Sequence, residues 1–114
     1  MPGIGFIGLR NNGVFVARLG VRWSVDGQGQ GPAGFDDDID LGQSRRLVPG
    51  LVGVPAGSPV WPVIDVVWGR DREGSPDDGG GLTYAPGSDA VADYEISGTT
   101  LDSRLQFLGV TFDG

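Results

Sequence analysis

Cysteine is absent from this 114-residue chain, and so is histidine. Without cysteine there are no disulfides, no thiolate zinc sites and no thiol nucleophile. Without histidine there is no Ser-His-Asp triad, no imidazole metal site and no charge switch near neutral pH. Lysine is missing too. All eight basic residues are arginines, set against 15 acidic ones, for a net charge of −7 and a pI near 4.2. A field of that sign repels phosphate backbones, and the one adjacent basic pair, Arg45-Arg46, is too small to offset it, so no nucleic-acid partner is expected. No apolar run approaches the length of a membrane span. Residues Met1 to Gly13 do not pair a charged stretch with an apolar one, so no signal peptide is expected, and the compartment stays open.

Helical signals are also scarce, because no stretch keeps an i, i+3, i+4, i+7 apolar stripe past two turns. What the chain has is glycine and proline, 22 and eight of them, around patterned apolar runs that make 39% of residues hydrophobic. Area scaling gives roughly 5,900 Å² exposed when folded against roughly 17,000 Å² unfolded, enough burial for one core. A single domain over residues 1–114 is expected.

Alternation supplies the strands. From Val14 to Val25, Phe15, Ala17, Leu19, Val21, Trp23 and Val25 fall on one face, and Arg18, Gly20 and Arg22 on the other. This stretch predicts a long central strand, ended by Asp26-Gly27 and followed by loop to Gly34. Ile4 to Leu9 predicts a short edge strand, Ile39 to Val48 a polar one, and Pro49 to Pro59 a turn-rich connection. Val60 to Trp68 predicts a second strong strand, with Pro62 pointing to an edge. Arg70 to Gly81 is charged and glycine-rich and predicts a mobile loop. Val91–Ile96 and Leu101–Phe112 complete the set. The fold class is all-β, a two-sheet antiparallel β-sandwich, with a small barrel as the alternative.

Candidate chemistry is sparse. Asp36, Asp37, Asp38 and Asp40 are spaced closely enough to offer calcium several oxygens, but they lack the central glycine and terminal glutamate of an EF-hand and otherwise read as a solvated loop face. The carboxylates of Asp71, Glu73, Asp77 and Asp78 lie in a glycine-rich loop, a poor frame for paired acid-base work. No catalytic residue and no cofactor is assigned. Trp23 is in phase with the apolar face and predicts core. Trp61 and Trp68, seven residues apart, point to opposite faces of one strand. Either the strand is buried on both sides or one of the two is exposed, as a surface for a sugar, a membrane interface or a protein.

The run Gly13-Val14-Phe15-Val16-Ala17-Arg18-Leu19-Gly20-Val21-Arg22-Trp23 resembles the opening strand of the C-terminal β-sandwich of the cholesterol-dependent cytolysins. The later pieces come in a similar order: Gln43-Ser44-Arg45-Arg46, the turn Pro55-Ala56-Gly57, a strand ending at Trp68, and Ile96-Ser97-Gly98-Thr99-Thr100-Leu101. The last resembles the segment in which that family's Thr-Leu pair recognises sterol. The resemblance therefore implies a binding role for Thr100 and Leu101, and a membrane sterol as one ligand to weigh. The sequence also departs from the family. Where the family has a Cys-containing, Trp-rich loop, this chain has Gly69-Arg70-Asp71-Arg72-Glu73-Gly74, which enters a bilayer only at high cost. The 114 residues also do not include the family's pore-forming region. A shared sandwich does not by itself carry a shared activity.

The expected function is a non-catalytic binding module that recognises a ligand or protein surface through loops at one end, with Thr100, Leu101, Trp61 and Trp68 as binding residues. Two other readings stand beside it. One is a self-assembling structural protein or homo-oligomer subunit pairing through strand edges. The other is a small enzyme with an aromatic-lined pocket inside a barrel.

Overall fold

In a computed structural model, which describes residues 3–112, the chain is all-β with ten strands. Two four-stranded sheets face each other in the orders β10-β9-β2-β5 and β4-β3-β6-β7, and a two-stranded parallel pair, β1-β8, sits beside them. The strands are β1 Gly3–Ile4, β2 Phe6–Gly13, β3 Ala17–Val25, β4 Gln28–Gly34, β5 Ser44–Leu47, β6 Val60–Val66, β7 Arg72–Glu73, β8 Thr83–Tyr84, β9 Ala90–Gly98 and β10 Ser103–Phe112. Residues 1–2 and 113–114 of the expected domain lie outside the described residues. The sandwich exposes 5937 Å², matching the area expected for its mass.

The inner faces follow the alternation. Ala17, Leu19 and Val21 of β3 meet Val60, Ile64 and Val66 of β6, and Ile7 and Leu9 of β2 lie beside Ala92, Tyr94 and Ile96 of β9. At about 0.8 kcal/mol per buried CH₂, this layer is the main source of stability. Two strand pairs depart from the antiparallel expectation: β1 and β8 run parallel, and so do β2 and β9, from Phe6↔Val91 to Gly13↔Gly98.

Several elements differ from the sequence expectation for local reasons. The long strand begins at Ala17, not Val14, because Phe15 folds back over Gly13 and Asn11 fixes the turn. Asn11 is fully buried and satisfied: its Nδ2 donates to the carbonyls of Phe15 (2.6 Å) and Ile39 (2.8 Å), and its Oδ1 accepts from the Gly13 N–H (2.9 Å). Trp23 packs against the core but is only half-buried, and Val25, expected inside, is exposed. The stretch Gln28–Gly34, expected as loop, pairs with β3 as a sheet edge; an edge strand needs a ladder on one side only and tolerates Gly and Pro. The Ile39–Val48 strand shrinks to Ser44–Leu47 plus one bridge, Ala17↔Ile39.

Both edge assignments move inward. β2 lies between β9 and β5, and β6 lies between β3 and β7. Pro62 is tolerated there because Val16↔Val67 is a hydrogen-bonded pair, which makes Pro62 opposite Val21 a non-bonded one. Its missing N–H therefore faces the two-residue strand β7, where the Pro62 carbonyl still accepts from Gly74 (2.8 Å).

Candidate binding site at the loop end of the sandwich

Three connections meet where β2, β6 and β9 end. The β2–β3 turn presents Val14, the connection after β6 presents Trp68, and the β9–β10 turn presents Leu101. Their exposures are 74%, 93% and 92%.

Backbone bonds hold these loops together. Val14 N–H donates to the Gly98 carbonyl (3.0 Å), which joins the first loop to the third. Val67 N–H donates to Val16 (2.9 Å), which joins the second to the first. Gly69 sits against Thr100: a Cβ at Gly69 would collide with the Thr100 carbonyl oxygen, so glycine is required for the second loop to touch the third. Behind this contact Arg72 Nε donates to the buried Ser103 Oγ (2.8 Å), tying β7 to β10.

The turn Thr99–Asp102 is closed by reciprocal backbone bonds of 3.1 and 3.2 Å, and the Asp102 N–H also reaches Thr99 Oγ1 (3.2 Å). Leu101 is thereby pushed to the tip, with Thr100 half-buried beside Gly69. Trp68 has φ +69, a left-handed conformation that costs a non-glycine residue about 1–2 kcal/mol. That strain turns the indole out of the sandwich. Charged groups form the rim. Arg70, Asp71, Asp102 and Arg104 are exposed. Burial and then the neighbouring Asp65 carboxylate push the Asp71 carboxyl above its ordinary range.

Of the four expected binding residues, the structure brings Thr100, Leu101 and Trp68 to one place. Trp61 is elsewhere. It is buried at the start of β6, seven residues or roughly 23 Å of strand from Trp68, with its Nε1 donating to Glu73 Oε2 (2.5 Å). Glu73 also lies 3.2 Å from Arg22 Nε, at an angle too poor for a hydrogen bond, so this arginine nitrogen is held by charge alone. Val14 belongs to the site although the alternation treats it only as the outer face of a strand. Its one sequence cue is Asn11-Asn12-Gly13, a turn signal just upstream.

The acidic candidates do not converge. Asp38 pairs with Arg18 Nε at 2.7 Å, while Asp36, Asp37 and Asp40 are exposed. No group of three or more carboxylates among the described residues could hold a metal ion. The stretch expected as a free loop, Arg70–Gly81, contains β7 and the 3-10 turn Asp78–Gly80. Asp78 Oδ2 accepts from Ser75 N–H (2.9 Å) and from the Tyr94 hydroxyl (2.9 Å). Burial, reinforced by that bond, pushes the Tyr94 phenol well above its ordinary range.

No protein-family profile and no curated protein matches the chain. Among solved structures it is similar to a non-hemolytic pneumolysin from Streptococcus pneumoniae strain ST306, with 18% identity, a TM-score of 0.44, and coverage of 96% of this chain and 24% of that one. It is also similar to a disulfide-locked mutant of intermedilysin with human CD59 (20% identity, TM-score 0.48, 94% and 24%) and to listeriolysin O (16%, 0.44, 96% and 22%). The chain spans about a quarter of the length of these structures.

Proposed function

We propose that this chain is a non-catalytic binding module whose contact surface is the loop end formed by Val14, Trp68, Thr100 and Leu101. The observation that carries the reading is the meeting of three nearly fully exposed apolar side chains on loops bonded to one another. Apolar side chains gathered at one end of a sandwich suit a contact surface, and a backbone outlier at Trp68 is a common mark of one. The finer proposal is a ligand that is apolar with a hydroxyl, met by Leu101 and Trp68 on its apolar part and by the Thr100 hydroxyl on its polar part. A sterol at a membrane surface has that chemistry.

Magnitude limits the claim. Fully burying each aliphatic or aromatic tip is worth about 1.5–3 kcal/mol. Three tips give roughly 4.5–9 kcal/mol before the cost of association, and the charged rim adds a desolvation cost of its own. One copy therefore binds weakly and reversibly, and tight attachment would need several copies or a longer chain. Among the described residues no helix is long and apolar enough to cross a membrane.

The test is co-sedimentation with phosphatidylcholine vesicles at zero and high sterol content. Sterol-dependent binding, lost in a Trp68→Gly, Leu101→Gly double variant that keeps its melting temperature, is the expected result. No sedimentation at any sterol content removes the membrane ligand. Binding that survives the double change removes the site.

A further inference from the structure

A second feature lies on the outer face of the β10-β9-β2-β5 sheet, away from the loop end. Alternation turns Ile7 and Leu9 inward and Gly8 outward. In register, Gly8 stands between Arg46 of β5 and Asp93 of β9. Glycine puts no side chain of its own in the middle of this row, and the Asp93 carboxylate leans over it; two strand spacings, roughly 9–10 Å, separate the backbone positions of the cation and the anion. The result is a groove of about 380 Å³, within the usual range for a small-molecule site.

The walls have a definite polarity. Arg10, Arg45 and Arg46 line it with a single acid, Asp93. Register puts Arg46, opposite Gly8, on the outer face with Arg10, whereas Arg45, opposite the inward Leu9, belongs to the inner side of this sheet edge. Arg46 stacks over the Phe6 ring at 5.8 Å, which fixes its stem on the outer face. Arg10 makes no ion pair among the described residues, although Glu95 is its cross-strand neighbour. Asp93 Oδ2 accepts from the Thr111 hydroxyl (2.5 Å). Its Oδ1 faces the space over Gly8, where a Cβ would stand 2.9 Å away. That oxygen is an acceptor aimed into the groove.

We propose that this groove binds a small hydroxylated oxyanion, such as a sugar phosphate or a sugar acid, with its charged group on Arg10 and Arg46 and a hydroxyl donating to Asp93 Oδ1. Guanidinium forks suit planar or tetrahedral oxyanions. The lone carboxylate selects against anions that bring no donor, since it would face them across a few ångströms.

The experiment follows backbone amide resonances of the ¹⁵N-labelled chain during titration with glucose 6-phosphate, glucuronate, inorganic phosphate and glucose. Saturable shifts at Gly8, Ser44 and Thr111 with either sugar anion, weaker with phosphate and absent with glucose, are expected; whichever sugar anion binds more tightly identifies the charged group. Arg10→Gln, on an exposed side chain, is expected to weaken binding about tenfold, and Asp93→Asn to narrow the gap between the sugar anions and inorganic phosphate. No saturable shift with any probe overturns the proposal. So do equal shifts with glucose, shifts indifferent to Arg10→Gln, or shifts confined to residues 67–69 and 99–102. The proposal is independent of the loop-end reading, because vesicle binding reports only on that end.

Discussion

The segment Arg70–Gly81 and the tips at Val14, Trp68 and Leu101 are built on opposite logic. The first is charged and glycine-rich, yet its side chains are engaged: Glu73 with Trp61 and Arg22, Arg72 with Ser103, and Asp78 with Tyr94. The tips are apolar, yet they are exposed by 74% or more. Polarity decides whether a loop can stay in water at no cost. It does not decide whether the loop is tied down. A charged loop becomes part of the structure when buried donors, here an indole and a phenol, need acceptors that only it supplies. Apolar tips left outside have no such structural duty, which is why they read as a contact surface.

The strongest way to break this contrast is Glu73→Ala. It leaves the buried Trp61 N–H without its acceptor and Arg22 without its ion-pair partner. The expected loss is about 1.5–3 kcal/mol, chiefly from the indole, because the Glu73 side chain is 42% exposed and its ion pair is screened. Urea unfolding measures it. A loss below about 0.5 kcal/mol would return the segment to the status of a free linker.

How far the sequence reaches is clear from these residues. β3 and β6 and their inner faces were legible, because Leu19, Val21, Ile64 and Val66 alternate without interruption. β4 was not, since Gln-Gly-Gln-Gly-Pro-Ala-Gly has no apolar period and becomes a strand only because β3 offers it a ladder. Thr100, Leu101 and Trp68 were legible as candidates. Trp61, named beside them, lies apart from the loop end, with its indole bonded to Glu73, twelve residues away in a segment with no strand pattern. The Gly69–Thr100 contact and the Gly8 groove were invisible, since a glycine shows what it makes room for only once its neighbours across the sheet are known.

A smaller effect separates the loops directly. Gly69→Ala drives a Cβ into the Thr100 carbonyl, and the exposed loop can yield only by moving away. We expect a cost of about 1–2 kcal/mol. Vesicle or ligand binding should fall more than stability does, because the change moves the loop of Trp68 away from the loop of Leu101. Unchanged stability and binding would show that the two loops need not touch.

The pinned segment also has a pH signature. The folded-state pKa of Tyr94 is raised, first by burial and then by Asp78. Above the ordinary tyrosine value of about 10, the unfolded chain loses this proton while the folded chain keeps it. The contribution is therefore complete below about pH 10 and is lost as pH rises beyond it. Tyr94→Phe should flatten the decline in stability between about pH 10 and 11.5, measured by urea midpoints. A variant with the same alkaline slope as the wild type would mean that Tyr94 ionises freely and that Asp78 does not hold it.

The smallest expected change in stability is at Trp68, and its sign is the informative part. The residue is 93% exposed and sits at φ +69. Replacing it by glycine removes almost no packing and relieves a left-handed conformation, which favours the variant by about 1–2 kcal/mol. Against this, glycine loses more chain entropy on folding, by roughly 0.5–1 kcal/mol. The net expectation is a gain of up to about 1 kcal/mol, read as a small rise in melting temperature. Binding at the loop end should disappear in the same variant. A residue that costs stability where it stands and is needed for contact is held for the contact. If Trp68→Gly instead destabilises by about 1 kcal/mol or more, the indole packs on its own loop, and the tips lose the contrast with Arg70–Gly81 on which their reading as a binding surface depends.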